Sequence, residues 1–274
     1  MSGPAARDAS GADVSRLLSE GRIEVVGRLR AASNVTLLVD VEAVGTTRRA
    51  VYKPVSGERP LWDFPDGTLA GREVAAHLVT TAAGCDAVPA TVMREEAPFG
   101  PGSLQAWVDT DAPEPGDGLV DLFDPGAVPD GWRSVLSAQD ARGAPVLLAH
   151  ADTRGLRDVA VLDLVLNNAD RKGGHLLVDT CGRVRGVDHG LTFHRDDKLR
   201  TVLWGWAGER LDERDRDLLD RLAAALDSGL GTALGPLLTS REVRALGERV
   251  AAVRRTGCFP RPDGSWPAIP WPAF

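Results

Sequence analysis

Cysteine, lysine, methionine and tyrosine are all scarce in this chain, with three, three, two and one copies among 274 residues. Cys85, Cys181 and Cys258 are odd in number, far apart and without a CxxC pair, which argues against a disulfide framework and against a cysteine-built zinc site. No apolar run approaches the ~20 residues that cross a bilayer. The opening MSGPAARDASGADVSRLL lacks a basic start followed by an apolar stretch, so neither an export signal nor a membrane anchor is expected. A surplus of positive charge is also missing. The net charge of −7 argues against nonspecific nucleic-acid binding and against an anionic lipid surface, both of which select basic faces. These absences predict a cytoplasmic protein, expected as a monomer. What is present is 43% hydrophobic content, enough for a substantial buried core.

Lys53, Lys172 and Lys198 interrupt an otherwise all-arginine set of 32 cationic side chains. In such a chain a lysine inside an apolar strand points to a site that needs a compact ammonium. Lys53 ends TRRAVYKPV, the third of three strand-like runs after GRIEVVGRLR and VTLLVDVEAVG, which predict an antiparallel meander. The turn at 31–34, with Ser33 and Asn34, reads either as an ordinary hairpin turn or as backbone amides free to cover a phosphate. Lys53 itself reads either as a solvated edge lysine or as an inward ammonium. REVAAHLVTTAAG then predicts a helix with Glu73 in its first turn, where a carboxylate either complements the helix dipole or pairs with Lys53.

AVPATVMRE and SLQAWVDTD predict a further hairpin, and residues 105–108, with Gln105, Trp107 and Val108, a connecting segment whose backbone can meet an adenine edge. Residues 111–145 are rich in Gly, Pro and Asp, and their Leu122, Phe123, Trp132 and Val135 predict a partly ordered insertion. LRDVAVLDLVLN is apolar around its circumference except for Asp158 and Asp163, which predicts a buried helix. Asp163 then needs donors, and the loop that follows is expected to supply them.

That loop, NNADRKGGH, leads into LLVD, a turn at TCGR and VRGVDHG, a β-hairpin. Asp170 and Asp188 stand 18 residues apart, the length of a hairpin that returns on itself, so the two acids can converge, with His175 as a third ligand for a divalent ion. A lone DR pair reads as a solvated surface pair; the whole constellation reads as a phosphoryl-transfer centre. Lys198, Arg200, Trp204 and Trp206 are candidates to meet an acceptor, although tryptophan pairs more often pack a core. Thr239 and Glu242 predict a capping box for the last helix. Trp266, Ile269, Trp271 and Phe274 are expected to tack the Pro-rich tail onto the surface.

NNADRKGGHLLVD followed by GVDHGLTF resembles the catalytic and metal-binding segments of the phosphatidylinositol 3-/4-kinase-like group of atypical kinases, in the layout of type II phosphatidylinositol 4-kinases and, more distantly, HipA kinases. The resemblance, which also takes in an actinobacterial branch of such chains, covers roughly residues 22–210 and includes VYKP, Glu73 and SLQAWVD in matching order. It implies an α+β, bilobed protein-kinase-like fold with an antiparallel β-rich N-lobe at 22–110 and a mainly helical C-lobe at 111–274, preceded by a short extension at 1–21. It further implies that Lys53 contacts ATP phosphates, Glu73 orients Lys53, Asp170 orients an acceptor hydroxyl and Asp188 binds Mg²⁺ or Mn²⁺. His175 stands where the family has an asparagine ligand, and an imidazole prefers softer metals than Mg²⁺. The implied reaction is phosphoryl transfer from ATP to a hydroxyl of a soluble small molecule or protein. A nucleotide-binding pseudokinase and an AMP-transferring enzyme are the alternatives.

Overall fold

A computed structural model describes residues 11–29, 34–114, 116–140, 142–264 and 267–274. Helix α1 (Gly11–Glu20) precedes strands β1 (Arg22–Arg28), β2 (Leu37–Ala43) and β3 (Thr46–Pro54). Helix α2 (Leu69–Ala82) then intervenes before β4 (Thr91–Arg94) and β5 (Gly102–Ala106). The five strands form one antiparallel sheet in the order β1-β2-β3-β5-β4. Alternation assigns the faces of this sheet. Ala50 and Tyr52 of β3 are fully buried with Val39, Val41 and Leu104 in a small core that takes Leu18 from α1. Val51 and Lys53 therefore look to the opposite face, where α2 lies.

Helix α2 begins three residues earlier than the sequence pattern suggests. Thr68 caps it by accepting from Gly71 N–H, and both carboxylate oxygens of Glu58 accept from Leu69 and Ala70 N–H at 3.0 and 2.8 Å. Glu73 consequently sits in the second turn rather than the first, where the helix dipole has faded and cannot account for it.

Residues 111–145, expected as a partly ordered insertion, contribute to a second antiparallel sheet. Strands β6 (Val120–Phe123), β7 (Trp132–Gln139) and β8 (Pro145–Ala151) order as β6-β8-β7. Helix α3 (Arg154–Leu166) follows, capped by Thr153 and closed by Asn167 in the left-handed conformation at φ 54°. The hairpin of β9 (Leu176–Val178) and β10 (Val184–Gly186) stands on it. Helices α4 (Glu213–Ala225), α5 (Gly231–Leu234) and α6 (Ser240–Thr256) complete the lobe, and the Thr239/Glu242 capping box is present. The main core joins α3, α4 and α6 to Ala75, Ala76 and Val79 of α2, so α2 packs on the helical lobe as well as facing the sheet.

An ion pair reinforces that packing. Arg72 of α2 and Glu242 of α6 are 2.5 Å apart with side chains 1% and 3% exposed, and Arg72 also donates to the carbonyls of Thr192 and Asp66. Glu242→Gln keeps an acceptor for the cap but removes the charge, and is expected to cost about 2 kcal/mol. The unfolding midpoint should drop by roughly 6 °C in calorimetry; a midpoint unchanged within a degree would show that the pair does not hold α2.

The tail returns to the helical lobe through its backbone. Ala268 O accepts from Thr201 N–H and Trp204 Nε1–H, and Ala273 O accepts from Gly173 N–H. The Phe274 ring lies where a Cβ on Gly173 would come within 2.8 Å of it, so this contact needs glycine. Trp271, expected as an anchor, is 90% exposed, while Ile269 and Ala273 pack on the core. Trp266 lies outside the described residues. Among the described residues no helix is long and apolar enough to cross a membrane.

Candidate active site

The inward face of the first sheet, the start of α2 and the end of the β9–β10 hairpin meet at Lys53. Its ammonium pairs with Glu73 Oε1 and lies 2.9 Å from Asp188 Oδ1. Burial opposes the charge on Lys53, but the carboxylates of Asp188 and Glu73 outweigh it and raise its pKa above the ordinary value. Glu73 is nearly inaccessible, and burial raises its carboxyl against the pull of Lys53; its second oxygen accepts from His189 N–H at 3.0 Å. Asp188 has a half-exposed side chain, and Lys53 above all holds its carboxyl well below the usual range. The far oxygen of Asp188 faces His175 Nε2 at 3.4 Å.

His175 is drawn in from the other side of the hairpin. Its carbonyl accepts from Val187 N–H and from Arg171 Nη1, which sets its backbone against the end of β10. Burial lowers the pKa of its ring, and Nδ1 is buried without a partner among the described residues. Asp170 contributes to the field at His175 and pairs with Lys172 Nζ at 3.1 Å. Asp188 thus meets the histidine by contact, whereas Asp170 acts on it through its charge alone.

The loop that carries Asp170 is built on Asp163. Asn168 Nδ2 donates to Asp163 Oδ1, while Asn168 Oδ1 accepts from Asp170 N–H. Arg171 donates to both Asp163 oxygens at 2.9 and 3.0 Å. Asn167, one position earlier, holds the segment beyond the hairpin instead: its side chain meets the carbonyls of His194 and Asp196 and the N–H of Lys198. Gly190 completes the close fit, since a Cβ there would lie 3.3 Å from Leu69 Cβ at the start of α2.

Other expected residues fall elsewhere. Gln105 belongs to β5 rather than to the connecting segment; it faces the same side as Lys53, but its amide is spent on Thr91 Oγ1. Trp107 and Val108 start the connection and line a cleft of about 970 Å³ with Arg48, His77 and the turn at 179–183, a cleft that includes neither Lys53 nor Asp188. Asn34 accepts from Arg59 N–H through its side chain, and Ser33 lies outside the described residues. Trp206 is fully buried between Arg133 and Arg157, and Trp204 holds the tail, so this pair does not face an acceptor. Lys198 is buried beside Asp63, Trp62 and Phe64.

Two residues of the site escape a reading of the sequence. Arg171, to which the sequence assigns no role of its own, is fully buried, and His189 is 1% exposed. The signal for Arg171 was Asp163 itself, because a carboxylate in an apolar helix requires a cation within reach.

Known proteins resemble this chain at two levels, in sequence and in fold. The chain is 48% identical over 269 residues to Protein Rv2133c of Mycobacterium tuberculosis, covering 96% of both. No family model matches it. Among solved structures, the Golgi casein kinase with Mn/ADP bound matches with a TM-score of 0.55 at 14% identity, over 92% of this chain and 80% of that one. Hydra Fam20 with sugar gives 0.54 at 14% identity, over 92% and 89%. The fold is thus α+β and bilobed, of the kind found in the Golgi casein kinase.

Proposed function

Since the chain belongs to the same family as Protein Rv2133c, we propose for that family an ATP-dependent phosphotransferase, an atypical kinase that transfers the γ-phosphoryl group to a hydroxyl. The observation that carries this reading is the Lys53 cluster: an ammonium fixed between a buried glutamate and a half-exposed aspartate at the junction of a sheet and a hairpin. Phosphoryl transfer requires little covalent help from the protein, only charge held in position. Lys53 would contact ATP phosphates, Glu73 would aim it, and Asp170 would orient the acceptor hydroxyl. The first sheet with α2, residues 22–110, would be the nucleotide lobe, and residues 111–274 the catalytic lobe. Of the residues expected to border the nucleotide, Gln105 is turned to Thr91 and Trp107 and Val108 line a cleft without Lys53, so the nucleotide would be held chiefly through Lys53.

The residues present fit a divalent ion that is shared with the nucleotide. Asp188 offers a half-exposed carboxylate and His175 its Nε2, 3.4 Å from that carboxylate, while no group of three ligating side chains among the described residues could hold an ion alone. Asp188 and His175 would hold it, with phosphate oxygens completing the set; the imidazole favours Mn²⁺ over Mg²⁺. Such an ion, when bound, neutralises charge on the transferred phosphoryl group. The Golgi casein kinase structure with Mn/ADP supports the same choice. Within kinase-like folds we retain the type II phosphatidylinositol 4-kinase and HipA layout for the motifs, but with a soluble acceptor in the cytoplasm, because the net charge of −7 offers no basic surplus for a membrane.

The test is calorimetric titration of ATP with Mn²⁺ and with Mg²⁺ on the parent and on Lys53→Met. Tighter binding with Mn²⁺, and at least about tenfold weaker binding in the variant, are expected. Mass spectrometry of γ-labelled and α-labelled products then separates phosphoryl from adenylyl transfer. Binding without transfer of either group would convert the reading to a pseudokinase. No binding with either metal would remove it.

A further inference from the structure

We infer that His189 is a positioning residue: by accepting the fifth hydrogen bond of Arg171 it fixes the backbone of Asp188 and so the direction of its carboxylate. This rests on the phosphotransferase reading for its functional consequence, but not for its geometry. Asp188 is a non-glycine residue in the left-handed region, at φ 58°. That conformation is uncommon and persists where neighbouring contacts impose it.

The contacts are on both sides of the residue. The peptide before Asp188 is held by Arg171 Nη1, which donates to Val187 O at 3.0 Å. The peptide after it is held by His189 N–H, which donates to Glu73 Oε2 at 3.0 Å. Thr192 Oγ1 donates to His189 O at 2.7 Å, so the residue following Asp188 is gripped at N–H, C=O and ring. The side chain of Asp188 is then held by Lys53, 2.9 Å from Oδ1.

Arg171 has five N–H donors. Two go to Asp163, one to His175 O, one to Val187 O and one to His189 Nε2 at 2.7 Å. Because the guanidinium can only donate, Nε2 accepts in this last bond, and the ring proton belongs on Nδ1, which is buried without a partner among the described residues. An apolar residue at 189 would fill the space yet leave a buried guanidinium donor unsatisfied, and Arg171 would then turn away from Val187 as well. One histidine thus ties α2 through Glu73, α3 through Arg171 and Asp163, and the carboxylate of Asp188 into one unit.

The experiment uses His189→Leu, which removes the acceptor, and His189→Gln, whose amide oxygen can replace it. Amide exchange of the peptide spanning 186–192 is followed by mass spectrometry in the nucleotide-free protein, with calorimetric ATP–Mn²⁺ binding alongside. His189→Leu is expected to raise exchange about tenfold and to weaken metal-dependent ATP binding about 10- to 100-fold, while His189→Gln restores both to within roughly threefold of the parent. Exchange unchanged in His189→Leu would overturn the inference, and so would equal damage in the two variants, because packing of the ring would then suffice. If the parent binds no ATP but the exchange pattern appears, the positioning role stands and the phosphotransferase reading falls. Should His189→Leu not fold, His189→Asn, too short to reach Arg171, takes its place in the same comparison.

Discussion

Asp188→Asn is expected to lower metal-dependent phosphoryl transfer by roughly 10³-fold or more while leaving the fold intact. The reason for the first half is charge. Asp188 is the carboxylate that faces both Lys53 and His175, and an amide there can neither neutralise the ammonium nor serve as an anionic ligand. The reason for the second half is backbone. Asparagine tolerates the left-handed conformation as well as any residue with a side chain, so φ 58° is no obstacle. Lys53 keeps its partner in Glu73, and the buried contacts of His189 and Arg171 do not involve the Asp188 side chain. Asp170→Asn makes the informative contrast: its side chain pairs with Lys172 at 3.1 Å. It should retain ATP–Mn²⁺ affinity within about twofold and still lose transfer by roughly 10²- to 10⁴-fold. Steady-state rates with calorimetric affinities on both variants decide the matter. Transfer by Asp188→Asn at more than a tenth of the parent rate would dismiss Asp188 from the chemistry.

Much of this site was legible because period and spacing carry it. The β3 alternation that buries Ala50 and Tyr52 leaves Lys53 on the other face, and the hairpin length between Asp170 and Asp188 brings the chain back to its start. The second sheet was not legible, since its strands are short or exposed and are separated by Gly- and Pro-rich turns that by themselves read as irregular chain. Gln105 was assigned to the connection because the chain turns polar at Asp109 to Asp111, and the exit was placed too early, inside β5. In the fold the Gln105 amide donates to Thr91 Oγ1 of β4, which lets a polar residue stay buried within the sheet. Arg171 and His189 were hidden for a different reason. Each is polar beside a polar neighbour, and burial becomes visible only when α2, α3 and the hairpin close over them.

Arg171 also sets the largest stability effect, through Asp163. Asp163 and Arg171 are 1% and 0% exposed, joined at 2.9 Å, and neither has water to turn to. Asp163→Asn leaves the guanidinium buried with carbonyls and a neutral imidazole but no counter-charge, and is expected to cost about 3–5 kcal/mol. For a chain of this length that lowers the unfolding midpoint by roughly 10 °C. Arg171→Met leaves the opposite charge stranded: Asp163 retains only Asn168 as a side-chain donor, and the carbonyls of His175 and Val187 lose theirs. Its cost should be at least as large. The double variant Asp163→Asn/Arg171→Met removes both charges and should be less destabilised than the sum of the singles by roughly 2–3 kcal/mol. Chemical denaturation of the four proteins measures that difference. Strict additivity would mean that the two side chains support the loop independently, and the route by which α3 holds Asp170 and Asp188 in register would then have to run through Asn168 alone.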